Sequence, residues 1–350
     1  MSRYYKIVIQ DPASGKVITP PGFSAANLGG ASYCSYVNGK TLPAAWQVEI
    51  DIPAIDAATS QGFASVRISG VSLQEVSQAN NLNGKNIQIF GGMQAGLPLA
   101  NPAQSGLLVS GNIFQCFGNW QGPVMTLDFV ISPIPASGSN PGGIGTLGAP
   151  RNMSLNWPGG QPLGPVLQSC LQTAFPGCTV NVNVSSDIVR PAGDMASGYY
   201  STLEQIAQAA RSMSKSIVKT AGYAGISIVP VGNTINVFDG TQQKGQSVAI
   251  QFQDLIGQPT WIEGLSISFK TVMRADLSVG QQITLPKTVI TNTAQAYSAL
   301  VNQQTSFQGG FTIISMRHIG DFRAATAESW VTVFEGAPNQ TAGTNMSAGT

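Results

Sequence analysis

The stretch Gly84-Lys85-Asn86-Ile87-Gln88-Ile89 has a counterpart about two hundred residues later, Gly280-Gln281-Gln282-Ile283-Thr284-Leu285. In both stretches a glycine typical of a turn precedes an apolar pair with the two-residue period of a β-strand. An alternating run precedes each stretch, and a strand, a turn and another strand follow it. The shared order and spacing predict a duplicated small β-barrel or sandwich.

The flanking elements of the two copies can be matched one to one. The matched ranges, first copy then second, are 63–68 and 265–269, 113–119 and 314–321, and 127–129 and 330–334. We place the turns at Gly118-Asn119 in the first copy and at Gly320-Asp321 in the second. One chain with two similar units can offer two quasi-equivalent surfaces to a ring.

The composition is unusually poor in charge. Of 350 residues, 43% are hydrophobic and 9% are charged, whereas roughly 25% are charged in ordinary soluble proteins. Because a free monomer needs charge to stay soluble, a nearly uncharged surface favours burial between subunits. The alternative interpretation is a secreted or low-charge binding module.

Charge and hydropathy also exclude some partners. The formal net charge is +1 and no basic run occurs, which argues against a surface built to bind nucleic acid. No apolar stretch approaches the length of a membrane span, so we expect no integral membrane association. The first residues, 1–10, begin as a strand and lack the pattern of a signal peptide, so we expect the chain to be made and folded in a cytoplasm.

The chain divides into segments of different character, and the fold class is mainly β with an α+β insertion. Strict alternation from Trp46 to Ile52 is typical of antiparallel strands with one face on a core. The predicted segments are an N-terminal β-barrel domain at 1–133, a Gly/Pro/Ser linker at 134–150, an α+β domain at 151–240, a second β-barrel domain at 241–336 and a flexible tail at 337–350.

The α+β domain is predicted in the order α-β-α-β-β. Helical spacing of apolar residues covers 163–174, and alternating valines cover 180–184. Ser201 and Glu204 are predicted to form a capping box at the start of a second helix. A hairpin with a Gly232-Asn233 turn completes the unit. After it, Val248, Ile250 and Phe252 are predicted to begin the second barrel.

The residues that most catalysis needs are scarce. His318, the single histidine, lies in a predicted strand, with Asp321 and Glu328 nearby in sequence. We interpret it as an edge-strand or interface residue beside a hairpin rather than a catalytic base. The glycine pairs lack the context of a phosphate loop. We therefore predict no enzyme activity and no cofactor, and assign no catalytic, cofactor-binding or metal-binding residue.

The four cysteines show no metal-binding spacing. Cys34, Cys116, Cys170 and Cys178 include no C-x-x-C pair and no neighbouring histidine. In a reducing compartment we expect them to act as small core residues, with Cys170 on the apolar face of a helix.

Two segments at the start of the second barrel carry a resemblance. Ile256-Gly257-Gln258-Pro259-Thr260 leads through a strand to Arg274-Ala275-Asp276-Leu277-Ser278-Val279-Gly280. They resemble baseplate hub proteins of contractile-tailed bacteriophages, in which an isoleucine-glycine-x-proline turn leads to an asparagine-proline-x-leucine-x-x-glycine strand entry. The chain departs from that pattern at Arg274-Ala275, where asparagine-proline is usual.

Other segments follow the order of the same hub family, which is similar to the upper part of type VI secretion spike proteins. These segments are 155–157, 174–177, 200–203, 235–240 and 316–321, with 111–120 in the first region. The resemblance covers most of residues 1–336.

The resemblance implies a structural virion protein of the tail baseplate. In that family three copies form a homotrimer, and their six barrels make a pseudo-sixfold ring. The ring adapts the hexameric tail tube to the trimeric central spike, contacts other baseplate and wedge proteins, and lines the channel through which DNA passes during ejection. No DNA-binding role beyond passage is implied.

Two other classes of function remain as alternatives. A tail-tip receptor-binding or carbohydrate-binding β module would not require the α+β unit. A hub fused to a hydrolase would need a further domain, or a site that uses His318.

Overall fold

The structure is a computed structural model that describes most of the chain. The described residues are 3–54, 56–58, 63–94, 101–132, 152–219, 223–231, 234–241, 247–262, 266–286 and 310–339. The predicted linker at 134–150, the Gly232-Asn233 turn and nearly all of the predicted tail lie outside them.

The first region is built almost entirely of strands. Its elements are β1 Arg3–Gln10, β2 Tyr33–Cys34, β3 Tyr36–Val37, β4 Lys40–Thr41, β5 Gln47–Ala54, β6 Ala64–Ser69, α1 Leu73–Ser77, β7 Asn86–Met93, β8 Gly106–Gln121 and β9 Val124–Ser132.

The middle region combines helices with short strands. Its elements are β10 Met153–Pro158, α2 Leu163–Ala174, β11 Thr179–Asn183, β12 Met195–Tyr200, α3 Leu203–Ile217, β13 Ser227–Val231 and β14 Thr234–Phe238.

The last region returns to strands. Its elements are β15 Val248–Ala249, β16 Thr260–Trp261, β17 Ile267–Val272, β18 Gln282–Thr284, β19 Gly310–Asp321 and β20 Trp330–Pro338. The mainly β class with a helix-containing insertion is therefore confirmed.

The two β regions repeat one pairing pattern, which we call the four-strand unit. In the first unit β6 pairs with β9, β9 with β8, and β8 with β7. In the second unit β17 pairs with β20, β20 with β19, and β19 with β18. All of these pairings are antiparallel. The repeated order confirms the duplication predicted from the two glycine stretches.

The match between the units extends to single hydrogen bonds. Gly84 has a φ of +76° and Gly280 a φ of +86°, a conformation that glycine adopts readily. The Gly84 N–H donates to the Ile113 carbonyl at 2.8 Å, and the Gly280 N–H donates to the Ile313 carbonyl at 2.7 Å. The long strand of each unit is bulged directly after its isoleucine. Both predicted turn glycines therefore occupy the same position in their units.

Two predictions for the first region were wrong in detail. The turn is not at Gly118-Asn119, because β8 continues to Gln121 and the chain reverses at Gly122, whose φ is +59°. The end of β8 is exposed, so it lacks the apolar alternation on which the prediction relied. The region is also not β throughout, since α1 begins with a capping box between Ser72 and Glu75.

The α+β domain contains two more strands than predicted. Its order is β-α-β-β-α-β-β, because β10 and β12 form an additional antiparallel pair. β11 and β14 pair in parallel, and β13 pairs with β14 antiparallel. The pair β10 and β12 was missed because β12 is exposed on every other residue and carries glycine and serine instead of a regular apolar pattern.

The cap of α3 is displaced by one residue from the prediction. Thr202, not Ser201, is the N-cap, and its hydroxyl accepts from the Gln205 N–H at 3.3 Å. The Gln205 side chain completes the capping box, while Glu204 accepts from Gln208 at 3.1 Å. Ser201 with Glu204 and Thr202 with Gln205 both fit the capping-box pattern. The helix starts after Thr202, in the register that buries Leu203.

We expect Thr202→Ala to lower the free energy of unfolding by about 1 kcal/mol, since the cap satisfies an otherwise free helix amide. Glu204→Ala should change it by less than about 0.5 kcal/mol, as is usual for surface substitutions. Urea denaturation followed by circular dichroism measures both. A larger loss for Glu204→Ala would restore the sequence-based assignment.

The start and end of the last region also differ from the sequence pattern. Val248 lies in β15, which pairs in parallel with β18, but Phe252 lies in a 3-10 turn and is exposed. β20 extends to Pro338, and the Asn339 N–H donates to the Gly310 carbonyl at 2.8 Å. The sheet therefore includes residues that the sequence placed in the tail.

Candidate functional site at the joint between the two units

The two four-strand units join edge to edge through β5 and β19. Ile52 lies opposite His318, and Asp51 lies opposite Ile319, in an antiparallel register that runs from Met316 to Asp321. β5 also pairs with β6 of the first unit. One continuous sheet of thirteen described strands therefore spans both units.

The exposed face of this joint carries one ion pair. The Arg317 guanidinium contacts the Asp51 carboxylate at 2.5 Å, and both side chains are about half exposed. The pKa of Arg317 is raised by its hydrogen bond to Asp51. Exposed pairs of this kind contribute roughly 0–1 kcal/mol, so the backbone ladder and the buried residues below it hold the joint.

A buried arginine ties the first strand to the second unit. The Arg3 side chain in β1 is 6% exposed, and its Nη1 donates to the Asp321 carbonyl at 2.6 Å and the Phe322 carbonyl at 3.1 Å. Its Nη2 donates to the Thr326 carbonyl at 2.8 Å. Burial lowers the pKa of this guanidinium, and Asp321 partly offsets the effect. Arg3 thus orders the loop between β19 and β20.

Side chains of the second unit fill part of the core of the first. Val272, Met273 and Trp330 belong to the apolar cluster formed by β1 and β5–β9. The Trp330 indole N–H donates to the Gly92 carbonyl at 2.9 Å. A Cβ on Gly320 would lie 2.7 Å from the Trp330 ring. Close packing of this kind fixes the angle between the two units.

A buried polar cluster forms a second connection. Arg274 is 3% exposed and contacts Asp254 at 3.2 Å and Asp276 at 2.6 Å. Gln104, from the first region, donates to Asp254 at 3.3 Å. The backbone of Ala275 also donates to the Gln104 carbonyl at 2.8 Å. The backbone of Ala275 and the side chain of Asp254 thus connect the last region to Gln104 in the first.

His318 lies inside the joint and not in a cleft. Its side chain is 1% exposed, and Nδ1 lies 2.9 Å from the Thr332 hydroxyl. Desolvation lowers its pKa to about 4. The described partners of Asp321 are Gln47 and the backbone of the following loop, and the described ion-pair partner of Glu328 is Lys270. The structure does not bring these two carboxylates to His318.

The cysteines are free thiols. Cys34, Cys116 and Cys170 are buried, and Cys178 is half-buried. Cys170 belongs to the apolar core of the α+β domain, as predicted. Burial raises the pKa of Cys116 to about 12. Within the described residues, no three His, Cys, Asp or Glu side chains cluster closely enough to hold a metal ion.

None of the helices in the described part of the chain is both long and apolar enough to cross a membrane.

Sequence reasoning missed Arg3, although one signal for it exists. Arg3, Tyr5, Ile7 and Ile9 share one face of β1, and the last three are buried. A charged residue in register with a buried face needs buried partners. The joint between β5 and β19 had no such signal, because its partners are separated by more than half of the chain.

No protein-family model matches the chain, and no curated protein sequence matches it. Solved structures do resemble it at low identity. A 43 kDa tail protein of prophage MuSo2 from Shewanella oneidensis is 8% identical with a TM-score of 0.47, over 97% of this chain and 98% of that chain. A tail protein from Neisseria meningitidis is 9% identical with a TM-score of 0.44, over 97% of both chains.

A third similar structure comes from Escherichia coli. It is a component of the type VI secretion system, described as similar to tail proteins of bacteriophage T4, and is 10% identical with a TM-score of 0.45. The match covers 85% of this chain and 75% of that chain. The solved structures that this chain resembles thus include two tail proteins, one of them from a prophage, and a type VI secretion component.

Proposed function

We propose that this protein is a structural component of a phage tail, and specifically a baseplate hub whose homotrimer forms a pseudo-sixfold ring. One observation carries the proposal: two copies of the same four-strand unit are joined edge to edge in a single sheet. The joint is heterologous, because β5, the strand before the first unit, pairs with the long strand β19 of the second unit, so the two units contribute different surfaces. Heterologous contacts generate rings when the rotation between units closes.

The contacts at the joint favour a rigid ring segment over two loosely tethered domains. Arg3, Trp330 and the Arg274 cluster each connect the two units through buried groups. A chain that holds two similar units at a fixed angle presents nearly the same surface twice. Three such chains would present six similar units at one end and keep threefold symmetry in their α+β domains. This matches the adaptor role that the sequence resemblance implies, between a hexameric tube and a trimeric spike.

The surface chemistry favours a passive channel. The charged side chains near the joint are largely paired with one another, as in Arg317–Asp51 and Arg67–Asp128. Arginines that are paired with carboxylates in this way are less available to phosphate, and DNA binding depends on Lys and Arg contacts. Lining a channel for DNA passage is therefore part of the proposal.

We also propose that the chain is not an enzyme. The one histidine is buried, and its pKa of about 4 is far from that of a base poised near neutrality. Structural contacts with tube, spike and wedge proteins account for the described features without a reaction.

We expect a purified sample to form a trimer of three 36.4 kDa chains, alone or with its spike partner. Light scattering coupled to size exclusion measures this mass, and tube protein added to the trimer should shift it further. A monodisperse monomer that ignores spike, tube and other baseplate components would contradict the hub and favour a receptor-binding module.

A further inference from the structure

The two four-strand units can be superimposed residue by residue from their hydrogen bonds. Ile113 and Ile313 make equivalent bonds and precede equivalent bulges. Past the bulges, Phe117 in β8 therefore corresponds to Arg317 in β19. By the same pairing rule, Ser65 in β6 corresponds to Ser268 in β17.

The strand before each unit follows the same correspondence. Asp51 pairs with Ser65, and Thr260 pairs with Ser268. Thr260 in β16 therefore takes the place of Asp51 in β5, and Ile262 takes the place of Pro53. β16 is the second unit's counterpart of the strand that makes the joint.

The long strands of the two units differ in what covers their ends. The end of β19 is covered by β5. No described strand pairs with the corresponding end of β8, where the backbone of Gly118 and Trp120 forms an open edge. β16 in turn forms one end of the sheet in the described part of the chain. Each subunit thus carries both halves of a second joint, one at the end of β8 and the other at β16.

We propose that the end of β8 in one subunit pairs antiparallel with β16 and Ile262 of the next copy of this chain. The inference rests on the proposed function, which supplies the ring, and it adds the strands and the register. Correspondence with the joint inside the chain places Phe117 opposite Ile262 and Asn119 opposite Thr260.

The side chains at the two ends fit this pairing. Phe117 is 44% exposed and Ile262 39%, and both belong to the few large apolar side chains on the described surface. At the joint inside the chain, the position of Phe117 is held by Arg317, which pairs with Asp51. At the proposed joint the apolar pair Phe117 and Ile262 takes the place of Arg317 and Pro53, and Thr260 takes the place of Asp51, so the ion pair has no counterpart. Cross-strand apolar pairs contribute roughly 0.2–1 kcal/mol each.

Packing and a side-chain hydrogen bond hold the end of β8 in an extended conformation that can pair with another strand. α1 packs across its inner face, so that a Cβ at Gly118 would overlap the Val76 backbone. The Asn83 side chain accepts from the Cys116 N–H at 2.7 Å. The edge that remains is therefore fixed in direction and begins at Gly118. Exposed strand edges of this kind readily pair with another chain.

The register can be tested by cross-linking. Phe117→Cys combined with Ile262→Cys, in a Cys178→Ser background, should form disulfides between subunits on mild oxidation. The Ile262 N–H donates to Ser266, so the pair would be a non-hydrogen-bonded one, with Cα atoms about 4.5 Å apart. That distance is within the range of a disulfide. Non-reducing electrophoresis should show a ladder that ends at the trimer.

The matched control shifts one cysteine by two residues. Asn119→Cys with Ile262→Cys places the thiols on a diagonal, about 7–8 Å apart between backbones, where a disulfide does not form readily. We expect at least tenfold less cross-linking from this pair. Equal cross-linking from both pairs would overturn the register.

A second variant tests the contact without new thiols. Phe117→Asp should shift the mass in light scattering from trimer to monomer, because it buries a charge against Ile262. Met195→Asp, at an exposed apolar residue in the α+β domain (65% exposed, against 44% for Phe117), should leave the trimer intact. If the wild-type chain is a trimer, the Phe117→Asp variant is also a trimer and the double-cysteine variant gives no cross-link, this joint is overturned but the hub is not. A wild-type chain that never oligomerises would overturn both.

Discussion

Arg3→Met is expected to lower the free energy of unfolding by about 3–5 kcal/mol and to loosen the loop between β19 and β20. The guanidinium donates to the carbonyls of Asp321, Phe322 and Thr326 and to the Ser329 hydroxyl. Hydrogen bonds to a charged group contribute about 1.5–3 kcal/mol each. Water can replace only part of this set, since Arg3 is almost fully buried.

Two measurements separate this effect from a general loss of charge. Guanidinium chloride denaturation gives the free energy, and limited trypsin digestion reports cleavage after Arg323 in the loosened loop. Arg317→Met is the matched control in the same joint, because its exposed pair with Asp51 should contribute at most about 1 kcal/mol. Similar losses for both variants would show that Arg3 does not order the loop.

The conservative variant refines the argument. Arg3→Lys keeps the positive charge, but an ammonium cannot reach acceptors on both sides of a planar fork. We expect it to recover less than half of the stability lost in Arg3→Met. Full recovery would mean that the charge matters more than the geometry of the guanidinium.

The repeated unit could be predicted from sequence because its signals are local. At both Gly84 and Gly280, a turn glycine with positive φ is followed by alternating apolar and polar residues. The helices of the α+β domain were predictable for the same reason, since their apolar stripes face one core. The predicted duplication needed no knowledge of which strands pair.

The joint could not be predicted because its pairing is distant and its strands look ordinary. β5 alternates like any strand with one buried face, so nothing in it indicates β19 as its second neighbour. The exposed end of β8 lost its pattern for a related reason. Phe117 and Trp120, on opposite faces of this end, are both exposed in the described structure, so no buried face imposes an apolar alternation there. Under the proposed pairing between subunits, the strand that would complete this pattern belongs to another copy of the chain.

Acidification should destabilise the protein through His318 alone over most of the range from pH 6.5 to pH 4. The folded-state pKa is about 4, whereas an unfolded histidine has a pKa of about 6.5. Between these values the unfolded chain binds a proton that the folded chain does not. The contribution of neutral His318 to the free energy of unfolding is therefore fully present above about pH 6.5. The free energy falls by about 1.4 kcal/mol per pH unit as the pH drops toward 4.

Because the chain has a single histidine, one substitution removes all histidine titration from the measurement. Urea denaturation at half-unit steps from pH 7.5 to pH 5 should give a sloped free energy for the native sequence and a flat one for His318→Gln. The comparison uses the slope, so a constant loss from the altered hydrogen bond to Thr332 does not affect it. Carboxylates affect the pH dependence of the free energy of unfolding mainly below about pH 5, near their unperturbed pKa values. The slope measured for His318→Gln gives their contribution. If both proteins have the same slope, His318 is solvated in the folded state. The ladder between β5 and β19 would then open readily, and a rigid ring segment would lose its main support.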